Sequence, residues 1–145
     1  MPYWRLFYHF VWGTKDGEPL IESEWEKSLH NVIAAKAADL EAMVYAVGGT
    51  DNHVHLVASV PPKVSLSMFV GQMKGSSSHW VNYDLKPGYQ FAWQSEYGVV
   101  SFGGEQLDRV VRYAQNQHEH HAEGKAIPML ESVAPAQRGG AEPPP

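Results

Sequence analysis

The stretch AMVYAVGGTDNHVHLVASVPP, residues 42–62, holds two apolar runs divided by a Gly-Gly-Thr-Asp break and stopped by two prolines. It reads as a β-hairpin, with one strand over 42–49 and a second from about residue 52 to Val60. Along the second strand His53, His55, Val57 and Ser59 share one face, and Val54, Leu56, Ala58 and Val60 share the other. The apolar set must lie against covering helices, so the two histidines belong to the face left uncovered. Alternate strand positions stand roughly 6–7 Å apart at Cα, so the two imidazoles can converge on one ion. Neutral imidazole is a common metal ligand. Two polar side chains on a solvated face account equally well for a bare His-x-His.

Outward from the hairpin, YWRLFYHFVW (3–12) alternates and is rich in aromatics. It is expected to be a strand with Trp4, Leu6, Tyr8, Phe10 and Trp12 on its core face. GTKDGEP breaks that pattern as a loop. SEWE (23–26) has the form of a capping box, Ser23 as cap and Glu26 three residues on. The spacing of Trp25, Leu29, Val32 and Ile33 then predicts a helix to about residue 38. SLSMFVGQMKGSSSHWVNY (65–83) predicts a second helix with Leu66, Phe69, Val70, Met73 and Trp80 as its stripe. Gly75 and the three serines beside it weaken its middle, so a kink or an early end is expected there. FAWQSEYGVVSFG (91–103) is expected to be a fourth strand, irregular near its glycine, and EQLDRVVRYAQNQHEHHAEG (105–124) a third helix capped by Gly124. From residue 132 the chain turns to Ala, Gly and Pro, which reads as a disordered tail behind a single domain over 1–131.

The order strand, helix, strand, strand, helix, strand, helix implies an α+β sandwich of ferredoxin or RRM-like type. Its sheet is expected to be mostly antiparallel, with helices on one face and the active site on the other.

At 145 residues, 43% of them hydrophobic and 12% aromatic, the chain can bury the core of one domain. It contains no cysteine, which excludes disulfides, thiolate metal sites and cysteine nucleophiles and fits a reducing cytoplasm. No apolar run approaches membrane-spanning length, so no membrane partner is expected. The net charge of −5 argues against a strongly basic nucleic-acid footprint. Eight histidines, by contrast, make metal chemistry worth testing.

On the third helix Leu107, Val110, Val111 and Ala114 form the apolar stripe. Gln117 lies only about 40° around the wheel from Tyr113, and Gln106, Arg109 and His120 fall within about the same angle. Tyr113 therefore stands at the edge of the buried stripe among polar residues, one turn from Gln117, so its hydroxyl and that amide can address one point. In the HEHH run, His118 and His121 fall on the apolar side and read as packing or dipole-complementing residues; His120 stays open as an accessory group.

DNHVHLVASVPP, FAWQSEYGVVSF and VRYAQNQHEHH, in that order, resemble the single-tyrosine HUH transposases of small insertion sequences and their REP-associated relatives. HUH denotes histidine, hydrophobic, histidine, here His53, Val54 and His55, and the likeness extends over residues 3–122. It implies cutting and rejoining of single-stranded DNA, with Tyr113 as nucleophile and a 5′-phosphotyrosine intermediate. It also implies His53, His55 and Gln117 as ligands of Mg²⁺ or Mn²⁺, hairpin-bearing DNA as partner, and a homodimer whose tyrosine helices can be exchanged. The ligand types alone would equally suit Zn²⁺, Ni²⁺ or Co²⁺. Lys74, Arg109 and Arg112 are candidate DNA contacts, with Ser76–Ser78 beside Lys74, and Trp93, Tyr97 and Phe102 are candidate stacking platforms. Two rivals are a hairpin-DNA-binding or regulatory descendant that no longer transposes, and a metal-dependent phosphoesterase in which Tyr113 is idle.

Overall fold

The computed structural model describes residues 3–118 and 128–133. Its strands are β1 (Phe7–Gly13), β2 (Met43–Gly49), β3 (His53–Ser59) and β4 (Gly98–Phe102), and its main helices are α1 (Glu26–Asp39), α2 (Leu66–His79) and α3 (Leu107–Gln115). A short helical turn, Pro128–Glu131, follows. The four strands form one antiparallel sheet in the order β2-β3-β1-β4. That is the ferredoxin-like α+β arrangement expected from the element order. No helix among the described residues is long and apolar enough to cross a membrane.

Alternation along β1 and β3 builds the main core. Phe10, Trp12, Val54, Leu56, Ala58 and Val60 pack against Leu29, Ile33 and Ala37 of α1 and Phe69, Val70 and Met73 of α2. The opposite face is not left bare. α3 crosses it, and Val110 and Ala114 pack on Ala46 and Val57. Gly48 makes this crossing close: a Cβ there would stand 1.7 Å from the Ala114 carbonyl oxygen. Two helices thus cover one face while the third lies on the site face, carrying its own side chains to the histidines.

Several boundaries move from those expected. β1 begins at Phe7, because its ladder to β4 runs from Phe7 opposite Phe102; Trp4 and Leu6 precede the strand. Ser23 does not cap α1: the chain turns first, Trp25 occupies the cap position, and Glu26 reaches His30 and His118 instead of folding back. The serines do not break α2. Ser77 Oγ donates to the Met73 carbonyl at 2.7 Å inside a continuous helix, and the irregularity comes at Trp80–Leu85, a π-helical turn.

Only Gly98–Phe102 of the expected fourth strand is a strand. Residues 91–97 form a loop joined to Thr14 by a single bridge at Trp93. α3 ends at Gln115, where Asn116 leaves helical geometry (φ −109°, ψ 35°). Gly124 and the tail from residue 134 lie outside the described residues.

Candidate active site

The hairpin places His53 at the start of β3, and the β2–β3 turn orients it. Asn52 Nδ2 donates to the Gly17 carbonyl at 3.2 Å, which turns Asn52 Oδ1 toward His53 Nδ1 at 2.9 Å. An amide oxygen only accepts, so His53 carries its proton on Nδ1 and directs the Nε2 lone pair inward. Thr50 Oγ1, 2.8 Å from the same Nδ1, supports that tautomer.

His55 is fully buried between Val11 of β1 and Gly48 of β2. Its Nδ1 meets Nε2 of His9, also buried, at 2.7 Å. Sequence reasoning missed His9, although a signal was present. If Tyr8, Phe10 and Trp12 face the helices, His9 must face the side of His53 and His55. Burial, reinforced by His55, lowers the His9 pKa to about 3, so the ring is neutral near pH 7.

α3 brings Tyr113 over the pair, its ring centroid 5.7 Å from that of His55. Gln117 lies past the end of the helix, so a continuous wheel does not deliver it. Its Nε2 donates to the Tyr113 carbonyl at 2.8 Å, and this fixes Oε1 at 3.2 Å from His53 Nε2. Tyr113 and Gln117 therefore reach His53 and His55 of the same chain.

Glu131, on the short helix after the undescribed segment, is the second residue that sequence reasoning missed. Its Oε1 lies 3.2 Å from His55 Nε2 and 3.6 Å from His53 Nε2, while Oε2 accepts a short hydrogen bond from the Tyr113 hydroxyl. Burial would raise its pKa, but hydrogen bonding and charge from His55, with help from Tyr113 and His53, outweigh that and hold it at about 2. A sequence trace of this return is Gly98, where a Cβ would stand 1.9 Å from the Ser132 carbonyl oxygen.

His53, His55 and Glu131 offer ligand atoms that all lie within 4.8 Å of one another, and the Gln117 oxygen joins them. Three electron-pair donors, His53 Nε2, Gln117 Oε1 and an ionised Glu131 oxygen, thus face one point. Positive charge, from a second imidazole proton or a metal cation, suits such a convergence. The donor set fits a divalent ion. A cavity of about 470 Å³ opens beside it, lined by Thr14, Thr50, Asn52, His53, Gln94 and Glu131. A smaller, more apolar one of about 250 Å³ lies on the other side of Tyr113, between Phe102, Arg109 and Leu130.

The remaining candidates separate. Arg109 and Arg112 are exposed on α3. Lys74 instead spends its ammonium on the Gln94 and Glu96 carbonyls, each at 2.8 Å, holding the loop before β4. Ser77 is internal, and it accepts from Trp93 Nε1 at 2.9 Å. Trp93 packs edge-on against Trp12, Tyr97 sits beside Lys74, and Phe102 stacks on Phe7, so all three serve packing in this structure. His118 is exposed and reaches Glu26 at 3.0 Å; His120 and His121 lie outside the described residues.

An antiparallel α+β sandwich that gathers two histidines, a glutamine and a tyrosine at one sheet face is the framework of a tyrosine transposase. The family model described as transposase, IS200 like, matches residues 2–117, and the chain belongs to that family. The transposase for insertion sequence element IS200 of Salmonella typhimurium (strain LT2) is 24% identical over 129 residues, covering 86% of this chain and 84% of that protein. The same element's transposase from Salmonella typhi gives the same figures.

Among solved structures, a Deinococcus radiodurans R1 protein assigned as a transposase is similar with TM-score 0.62 and 19% identity, over 88% of this chain and 96% of that one. A REP-associated tyrosine transposase bound to a REP hairpin is similar with TM-score 0.61 and 13% identity, over 87% and 76%. These two likenesses concern the fold.

Proposed function

We propose that residues 1–131 form one catalytic domain that cuts and rejoins single-stranded DNA in the cytoplasm, with Tyr113 as nucleophile and His53, His55 and Gln117 as ligands of Mg²⁺ or Mn²⁺. The observation that carries this reading is the convergence of the Tyr113 ring and the Gln117 oxygen on the histidine pair. A divalent cation held there would polarise the scissile phosphate as a Lewis acid.

The chain's own groups do the rest. Tyr113 gives up its proton along the hydrogen bond it already makes to Glu131, and its oxygen bonds to phosphorus. The P–O3′ bond breaks, the 3′ oxygen takes up the proton that Glu131 received, and the 5′ phosphate stays on Tyr113. Because the phosphodiester is conserved in that covalent link, attack by another 3′-hydroxyl reverses the step and joins strands without ATP. A free tyrosine titrates near 10, so an acceptor at its hydroxyl matters near neutral pH.

Arg109 and Arg112, exposed on the tyrosine helix, are the phosphate contacts we favour over Lys74. The hairpin-bound relative supports a hairpin-bearing strand as the substrate. The family likeness supports a homodimer.

The test is incubation with Mn²⁺ and labelled single-stranded DNA, resolved on denaturing gels. Wild type is expected to form a covalent protein–DNA adduct, and Tyr113→Phe none. An adduct that persists in Tyr113→Phe, or in EDTA, overturns the mechanism. Turnover of a model phosphoester without any adduct would mark a hydrolase.

A further inference from the structure

We propose that His9 is a positioning residue for the metal site: its Nε2 accepts a hydrogen bond from His55 Nδ1–H and so commits the His55 Nε2 lone pair to the ion. The inference rests on the metal-site reading above and extends it to a residue outside the ligand set.

A neutral imidazole carries one N–H and one lone pair, so what one nitrogen bonds to decides what the other can do. His53 has its Nδ1 bonded to Asn52, an acceptor that cannot donate through its oxygen. The equivalent place on His55 is filled by His9 Nε2 at 2.7 Å, in the dry middle of the sheet. Backbone carbonyls there are consumed by the β1–β3 ladder, in which His9 stands opposite Val57 and Val11 opposite His55. Histidine ligands ordinarily hand their second N–H to a carboxylate or a carbonyl. Here the acceptor is another imidazole, which sits on the adjacent strand with its ring tilted 49° to that of His55 and 4.8 Å between ring centroids.

When His55 Nδ1–H donates to His9 Nε2, His9 holds its own proton on Nδ1, and the His55 lone pair lies on Nε2, 3.2 Å from Glu131 Oε1. The reverse pairing, with His9 as donor, places a proton on His55 Nε2 and blocks it as a ligand. His9 is therefore the hinge of a two-way choice of tautomer, and an ion at the site selects the first arrangement.

Two substitutions separate this role from packing. In His9→Gln the amide oxygen reaches the position of Nε2 and can accept from His55; in His9→Leu the space is filled and the acceptor is lost. Mn²⁺ affinity by calorimetry is expected to fall about 10- to 100-fold in His9→Leu. In His9→Gln it should recover to within a few-fold of wild type. At saturating Mn²⁺ both variants should regain most of the adduct-forming rate, because His9 touches neither phosphate nor Tyr113 oxygen. Should leucine unfold the chain, His9→Asn, whose amide stops one bond short of His55, is expected to bind as weakly as leucine would.

A wild type that binds Mn²⁺ beside a His9→Leu that binds it equally well overturns the role of His9 alone. Equal weakness of the Gln and Leu variants does the same. A wild type that binds no Mn²⁺ overturns the metal-site reading and this inference with it.

Discussion

Both faces of the sheet bury most of their central side chains, and the two are stabilised in opposite ways. On one, Phe10, Trp12, Leu56 and Phe69 are fully buried, and each contributes by removing apolar surface from water. On the other, His55 is 0% exposed, Gln117 1% and Tyr113 3%, and each must find a hydrogen bond or pay full desolvation. The core face is a sum of many interchangeable contacts. The site face is a linked circuit of polar contacts running Asn52 to His53, His53 to Gln117, Gln117 to Tyr113, Tyr113 to Glu131, Glu131 to His55 and His55 to His9. Removing a core methyl weakens the fold locally, whereas removing one member of the circuit strands its neighbours.

The sharpest way to break this contrast is to ask whether the circuit belongs to one chain. Tyr113 reaches the histidines of its own chain here, and an exchanged helix in a dimer would join different copies. Mixing Tyr113→Phe with His53→Ala after co-expression gives an all-or-none answer on the adduct gel. If the circuit closes within a chain, neither copy holds a complete site and no adduct forms. Adduct at a fraction of the wild-type yield would show that the helices exchange.

Gly48→Val attacks the site face without replacing a site residue. The added carbons would enter the Ala114 backbone, so α3 must lift from β2. A shift of about 1 Å in a reacting group can cost 100-fold, and adduct formation is expected to fall by at least about that factor. Thermal unfolding of the α1–α2 core should be affected far less. Equal losses in both would mean that the two faces are not separable.

Leu56→Ala is the mirror experiment on the core face. It should cost about 2–5 kcal/mol of stability by urea denaturation, as buried leucine truncations do. Below its melting temperature the variant should keep wild-type Mn²⁺ affinity.

The same contrast explains what could be read from the chain. The core face is written in alternation and helical spacing, so Val54, Leu56, Phe10 and Leu29 were legible from single segments. Within the site, His53 and His55 were legible for the same reason, and Tyr113 with Gln117 through one helix. Gln117 nonetheless arrives by a different route, since the helix ends before it and its own amide bridges back. Glu131 was not legible, because a lone carboxylate far along the chain carries no periodicity and its position depends on a tertiary return past Gly98. Ser23 and Glu26 show the converse: a local capping pattern lost to the tertiary partners His30 and His118. His9 falls between these cases, visible only once β1 is known to lie beside β3.

His9 also gives the contrast a pH signature, the smallest of the expected effects. Its folded pKa of about 3 lies below the ordinary 6.5, chiefly through burial. In the unfolded chain the ring takes up a proton as pH falls through 6.5, while in the folded protein it resists until about 3. Stability is therefore lost progressively between those values and the loss is complete below 3. At pH 5 the metal-free protein should be destabilised by about 2 kcal/mol relative to pH 8 on this account. His9→Gln, which cannot titrate, should lose about that much less between the two pH values in urea unfolding. Glu131 works in the same direction at lower pH, its pKa of about 2 giving stability that fades as pH drops from 4.5 toward 2. An acid-side loss that His9→Gln leaves intact would place its origin elsewhere, first of all at His30, whose pKa burial lowers to about 4.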